Sequence, residues 1–195
     1  MAGEAGAGRC PWAGEDPLYV RYHDEEWGVP VRDRVRLFEK LCLEGQQAGL
    51  SWITVLRKRE RYRERFYGFE PTRVVRIDGR GIESRLKDAG LIRHRGKLEA
   101  IVKNAKACLK LEDQVGDFGD WVWGFVGAAP WVNRYKTMAE LPAKTDASTA
   151  LSKALKRAGF GFVGPTTCYA MMQACGLVND HLVGCPRHAA CTKLK

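Results

Sequence analysis

One carboxylate is out of place in the stretch LFEKLCLEGQQAGLSW, residues 37–52. On a helical wheel Leu37, Phe38, Leu41, Cys42, Gly45 and Ala48 form an apolar or small-residue arc, and Glu44 falls at its rim beside Leu37. Glu39, Lys40, Gln46 and Gln47 fall outside the arc, on the side this pattern assigns to solvent. A carboxylate at the edge of a core face is costly unless paired, so Glu44 is the first candidate for chemistry, awaiting a cationic or donor partner.

Cysteine and histidine form a second candidate group. Cys10 and His23 lie near one end of the chain, and His181-Leu-Val-Gly-Cys185 near the other. These residue types are preferred ligands of Zn²⁺, and four of them close a tetrahedral structural site with no open position. His188 and Cys191 are rival ligands in the same tail, and the spacing matches no compact zinc finger, so residue type alone does not choose the set. His94, inside RHRGK, reads as part of a basic, phosphate-facing turn. Cys42, Cys108, Cys168 and Cys175 lie in helix-like apolar patterns and read as packed thiols, which points to a reducing, intracellular compartment.

The third candidate is LSKALKRAGFGFVGPTTCYAMMQACG, residues 151–176. Two helical stripes flank Gly159-Phe-Gly-Phe-Val-Gly164, and Pro165 opens the second helix. Glycines at 159, 161 and 164 permit positive φ and close backbone approach, while amides at a helix start with Pro165 and Thr166 offer an anion site. Phe160, Phe162 and Val163 are expected to anchor the turn in the core.

The elements that must position these groups read as helical almost throughout. Helices are expected at 16–26, 33–48, 51–65, 71–76, 80–88, 94–111, 117–125, 147–158 and 165–175, capped by Asp33 and Ser51 and opened by Pro71 and Pro165. The class is all-α, with two lobes sharing a core as one arrangement the length allows. The run LRKRERYRERF, with six basic and two acidic residues, reads as a mostly solvated helix face. Residues 1–9 read as a disordered tail, 10–185 as one domain, and 186–195 as a loose tail without apolar period. No apolar run spans a membrane and no leader is visible, so a cytoplasmic protein is expected. A net charge of +9 favours a polyanionic partner such as nucleic acid.

Taken together, CPW (10–12), DPLYVRYHDEEWGVP (16–30), LFEKLCLEGQQAGLSWITVLRKRERYRERF (37–66), DAGLIRHRGKLEAIVKNA (88–105) and the block 150–185 closely resemble the 3-methyladenine DNA glycosylase I family. That family belongs to the helix-hairpin-helix superfamily, in which the hairpin grips a DNA phosphate. The resemblance implies a two-lobed helical fold with one structural zinc on Cys10, His23, His181 and Cys185, leaving His188 and Cys191 as bystanders. It implies a base pocket of Trp12, Tyr19, Tyr22, Trp27, Glu44 and Trp52, with Glu44 the catalytic candidate. Gly49 and Leu50 match the wedge that fills the duplex, and Gly159, Gly161, Gly164 and Thr166 the phosphate hairpin. The implied substrate is double-stranded DNA containing alkylated adenine, the product is free 3-methyladenine, and a monomer with no obligatory protein partner is expected.

One departure from the wider superfamily bears on mechanism. The aspartate that many relatives carry after the hairpin corresponds here to Asn179, in Val178-Asn179-Asp180-His181, and no hairpin lysine suits lyase chemistry. A monofunctional glycosylase is therefore expected. The competing readings are a zinc-stabilised module that senses alkylation without cutting, and a glycosylase of altered substrate range.

Overall fold

Helix signals dominate the sequence, and the computed structural model, which describes residues 8–194, is mostly helical. Among the described residues they are α1 (Pro17–Glu25), α2 (Arg34–Gln46), α3 (Trp52–Leu56), α4 (Arg59–Arg65), α5 (Pro71–Val74), α6 (Gly79–Leu86), α7 (Arg95–Val115), α8 (Phe118–Trp123), α9 (Asp146–Arg157), α10 (Pro165–Ala174) and α11 (Pro186–Thr192). Local chemistry starts many of them. Asp16 accepts from the Leu18 and Tyr19 amides and Pro17 opens α1; Asp33 caps α2 through the Arg36 amide; Thr145 and Ser148 form a reciprocal capping box on α9. Ser51 holds the first position before α3 but makes no cap, its hydroxyl bonding Thr54 instead. No helix of the described residues is long and apolar enough to cross a membrane.

The buried apolar residues form one continuous cluster from Tyr22 to Val178, with a small second cluster of Cys10, Leu182 and Cys185. Helix α2 runs through the middle, packed against α3, α7, α8 and α10. Leu37, Phe38, Leu41 and Leu43 are fully buried on it. The side expected to meet solvent is covered too: Glu39, Lys40 and Gln46 are buried. The basic run supplies the cover. Arg63 bonds Glu39 at 2.8 Å, Arg59 forks onto Glu26 at 2.6 and 2.9 Å, Lys40 reaches Glu26 at 3.4 Å, and the Tyr62 hydroxyl donates to Gln46 at 3.0 Å. A run that looks like a solvated face therefore lies partly against α2, because its arginines satisfy that helix's polar side chains.

Three further expectations are corrected. The helix expected at 51–65 breaks at Arg57 and Lys58 into α3 and α4. Residues 186–192 form α11 instead of a loose tail. Asn179 donates to the His188 carbonyl at 3.0 Å and to Thr192 Oγ1 at 3.2 Å, and Cys191 is buried. These are long-range polar anchors, which a search for an apolar period does not register. Of the expected N-terminal tail, residues 1–7 lie outside the described residues, while Arg9 is held by Asp24 at 2.8 Å. A two-residue parallel ladder, β1 (Trp131–Val132) on β2 (Val178–Asn179), pairs Trp131 with Val178 and Val132 with Asn179, tying the 131–141 segment to the end of the α10 region.

Candidate active site

A cavity of about 170 Å³ opens where α1, α2, α3 and α10 meet, lined by Trp12, Tyr19, Tyr22, Trp27, Glu44 and Trp52. All six residues singled out for a base pocket thus come together. Tyr19 and Tyr22, three apart on α1, share a face; Trp12 enters from a one-turn 3₁₀ segment, Pro11–Ala13, and Trp52 from the first turn of α3. The rings form a continuous wall: centroids are 5.1 Å apart for Trp12 and Tyr19, 4.9 Å for Trp12 and Trp27, and 5.5 Å for Tyr22 and Trp52. Gln47, Met138, Leu141, Ala170 and Gln173 complete the lining and were not singled out from sequence. Ala170 and Gln173 carry an i, i+3 signal on α10 that could have found them; Met138 and Leu141 sit in a segment with no periodic pattern.

Glu44 sits in this wall only 6% exposed. Burial pushes its carboxyl up to about 8, with the nearby Lys40 ammonium pulling the other way, and no hydrogen bond contributes. Lys40 itself lies 4.7 Å from the Tyr22 ring centroid and 5.8 Å from that of Trp52, packed beneath the aromatic wall and paired with Glu26. The Trp52 indole N–H is buried without a partner. The cavity therefore offers flat π faces and one unpaired acceptor. That set suits a flat, positively charged heterocycle with polar edges.

Glu44 also lines a second depression of about 200 Å³ with Gln47, Gly49, Leu50, Thr166 and Thr167. Leu50 is 42% exposed there, on a turn where Gly49 takes φ +76°, a conformation that favours glycine. Lys97 fixes the turn by donating to the carbonyls of Gln46 at 2.8 Å and Ala48 at 2.6 Å, a cation at the C-terminal end of α2. The expected wedge and hairpin residues thus share a rim with the expected base pocket.

The hairpin differs in detail from its expectation. Of its three glycines only Gly159 takes positive φ; the other left-handed residue is Phe162, which is 40% exposed and does not anchor the core. Phe160 and Val163 are buried as expected. The Gly161 N–H does not point outward: it donates to Asn104 Oδ1 at 2.7 Å while Asn104 Nδ2 donates to the Gly161 carbonyl at 3.1 Å. Asn104, on α7, is the partner that sequence reading missed, since the contact joins positions 57 apart. Gly164 stands before Pro165 with no capping side chain, so the first-turn amides of α10 have no side-chain acceptor. Gly45 lets α2 meet this turn, because a Cβ there would lie 3.2 Å from the Phe162 carbonyl oxygen.

Cys10, His23, His181 and Cys185 converge, all buried, with their ligand atoms within 4.8 Å of one another. Cys10 Sγ lies 3.6 Å from His181 Nδ1, and Cys185 Sγ 3.6 Å from His23 Nε2 and 3.7 Å from His181 Nδ1. A tetrahedral Zn²⁺, with bonds of about 2.3 Å to sulfur and 2.0–2.1 Å to nitrogen, sets sulfur and nitrogen roughly 3.6 Å apart, so the donor set fits that ion. The imidazoles are oriented for it. His181 Nε2 faces the Trp27 carbonyl at 2.9 Å and His23 Nδ1 faces Asp24 at 2.7 Å; both partners only accept, so the nitrogens facing the cluster carry lone pairs. His188 bonds the Asn133 carbonyl and Cys191 lies beside Arg187, both outside the set. Asn179, which the sequence reading set at the aspartate position of the wider superfamily, is buried and spent on α11.

Comparison with known proteins places this fold in one class. The structure is similar to that of 3-methyladenine DNA glycosylase I from Staphylococcus aureus (TM-score 0.90, 40% identity, covering 93% of this chain and 97% of that one). It is similar as well to a Tyr-to-Phe variant of 3-methyladenine DNA glycosylase I in complex with 3-methyladenine (TM-score 0.89, 40% identity, covering 92% and 96%). In sequence it is 58% identical over 177 residues to DNA-3-methyladenine glycosylase 1 of Escherichia coli K12, covering 91% of this chain and 95% of that protein. The methyladenine glycosylase family pattern matches residues 12–188, and the chain belongs to that family.

Proposed function

We propose that this protein is a DNA glycosylase that draws N3-methylated adenine out of duplex DNA and hydrolyses its N-glycosidic bond, releasing 3-methyladenine and leaving an abasic site. The observation that carries the reading is the buried, unpaired Glu44 in a cavity walled by Trp12, Tyr19, Tyr22, Trp27 and Trp52. The names of the similar proteins, one of them in complex with 3-methyladenine, support it.

Extracting a base costs a few kcal/mol of stacking and pairing. Leu50, exposed on the Gly49 turn, is placed to fill the vacated step while the turn before α10 holds the backbone as a helix-hairpin-helix element, through Gly164, Thr166 and neighbouring amides. N3-alkylated adenine is a delocalised cation in DNA. It stacks on the aromatic wall, a contact worth about 0.5–2 kcal/mol, and Glu44 accepts from its exocyclic amine while opposing its charge. Cleavage neutralises that cation, which makes the base a good leaving group without a general acid. Stripping water and positioning the sugar supply the protein's share of catalysis. With Asn179 committed to α11, the superfamily aspartate has no counterpart at that position, and with no hairpin lysine suited to form a Schiff base no lyase step follows cleavage.

We further assign Cys10, His23, His181 and Cys185 to one structural Zn²⁺, which would fasten the two ends of the chain. The protein acts on double-stranded DNA as a monomer. The test is a release assay on alkylated DNA that identifies each free base. Release of 3-methyladenine with an intact abasic strand supports the reading; binding without release favours a damage sensor, and another base as the main product favours a glycosylase of different range.

A further inference from the structure

Asp180 is a buried carboxylate that the reaction above does not use. Its Oδ1 accepts from Asn133 Nδ2 at 2.7 Å, and its Oδ2 accepts from the Tyr169 hydroxyl and from Gln173 Nε2 at 2.8 Å. Gln173 donates its NH₂ to Asp180, so the nitrogen side of the amide faces that carboxylate. The amide oxygen is then the atom left over. Gln173 is half-buried and lines the same cavity as Glu44, reaching it from α10 one turn beyond Ala170. Tyr169, one turn earlier on α10, and Asn133, just after β1, also hold Asp180, so the orientation of the amide is set before any ligand arrives.

We propose that Gln173 is a specificity-determining residue of the base pocket, presenting a fixed amide oxygen as a second acceptor beside Glu44. The proposal rests on the base-excision reading. An exocyclic amine carries two N–H donors, enough for both acceptors, whereas a carbonyl at the same edge of a base sets oxygen against oxygen. The two acceptors together select a purine with an amine at C6, such as adenine, over one with an oxo group there, such as guanine. Asp180 touches no base; it is a positioning residue that acts by fixing the Gln173 amide.

The experiment is titration of free 3-methyladenine and free 3-methylguanine into the wild type, Gln173→Met and Asp180→Asn. Thermal melts confirm that each variant is folded. Gln173→Met keeps the volume and removes the oxygen. It should weaken 3-methyladenine roughly three- to tenfold, the scale of one neutral hydrogen bond, and leave 3-methylguanine equal or tighter. In Asp180→Asn the new amide can donate to Gln173, which frees the glutamine to turn its NH₂ into the cavity. The two bases should then shift in opposite directions, which a purely structural loss does not produce. Unchanged affinities in Gln173→Met, or an equal loss for both bases, overturn the proposal while leaving base excision standing. A wild type that neither binds nor releases 3-methyladenine overturns both.

Discussion

The Trp27 carbonyl accepts the His181 Nε2–H at 2.9 Å, and the Trp27 indole packs edge-on against the same imidazole, ring centroids 4.6 Å apart. One residue thereby joins the Cys/His cluster to the cavity wall. The proposed metal would act on the pocket through Trp27, by holding its backbone, with no part in the chemistry.

Metal content and stability should follow from this. One equivalent of zinc is expected per chain. Removing it, or replacing Cys185 with Ser, should cost several kcal/mol, or roughly 10 °C in Tm for a chain of this size. Metal analysis and thermal melts with and without chelator check this; a melting point indifferent to a strong chelator contradicts it.

Glu44→Gln keeps the shape and removes the charge that the carboxylate takes on beside a bound cation. Base binding should weaken roughly ten- to hundredfold, the scale of a hydrogen bond to a charged group, with excision slowed alongside. The folded carboxyl sits at about 8, above its usual unfolded value, so the protonated form is the one folding favours. Its contribution to stability is complete at acid pH and lost as pH rises through 8. The variant should therefore match the wild type at pH 5 and melt higher at pH 9, and melts across that range decide it.

Trp52→Ala removes a stacking face worth about 1–3 kcal/mol. Single-turnover excision should fall accordingly while affinity for undamaged duplex stays within twofold of wild type, about the scatter expected when no DNA contact is lost. Equal losses in both assays would mean that Trp52 supports the fold and not the base.

Asn104 satisfies both backbone groups of Gly161, so Asn104→Ala leaves a donor and an acceptor unpaired. The expected cost is about 1–3 kcal/mol of stability. Affinity for every duplex should fall alike, whatever its sequence, since a loosened turn before α10 loses backbone contacts and not base contacts. Fluorescence anisotropy on several unrelated duplexes, each over a salt series, measures it; a loss confined to one sequence contradicts the phosphate-grip account.

Glu26 is held between two buried cations. Burial alone would raise its carboxyl, but Arg59 and Lys40 outweigh that and keep it below the usual range. Its contribution to stability is present above the ordinary glutamate range and disappears as pH falls through the lowered value. Glu26→Gln leaves Arg59 and Lys40 uncompensated at neutral pH, and a loss of about 3–5 kcal/mol is expected in denaturant melts at pH 7. The gap to wild type should shrink at pH 3.

Much of this protein is legible in its residues because the signals are local. Asp16, Asp33 and Thr145 start helices through bonds to amides two or three positions away, and Pro165 opens α10 by fixing its own φ. Glu44 and the five aromatic residues of the cavity wall, and the four metal-ligand candidates, could be named from type and resemblance before their distances were known. The misreadings share one cause. Glu39, Lys40 and Gln46 look solvent-facing on a wheel of α2 alone; α1, α4 and α7 cover them with Glu26, Arg63, Tyr62 and Lys97, residues that no local period pairs with them.

Local residue chemistry sets where many helices begin, which apolar faces they bury, and which groups are available for binding a cation or a metal. Which polar groups meet is a matter of how the helices pack. That packing turned Gly161 inward onto Asn104, folded residues 186–192 onto Asn179, and set Gln173 against Asp180 at the edge of the cavity. Hydrogen bonds and ion pairs act over about 3 Å with strict geometry. Two groups far apart along the chain acquire a partner only when the packing of apolar faces has brought them within that reach.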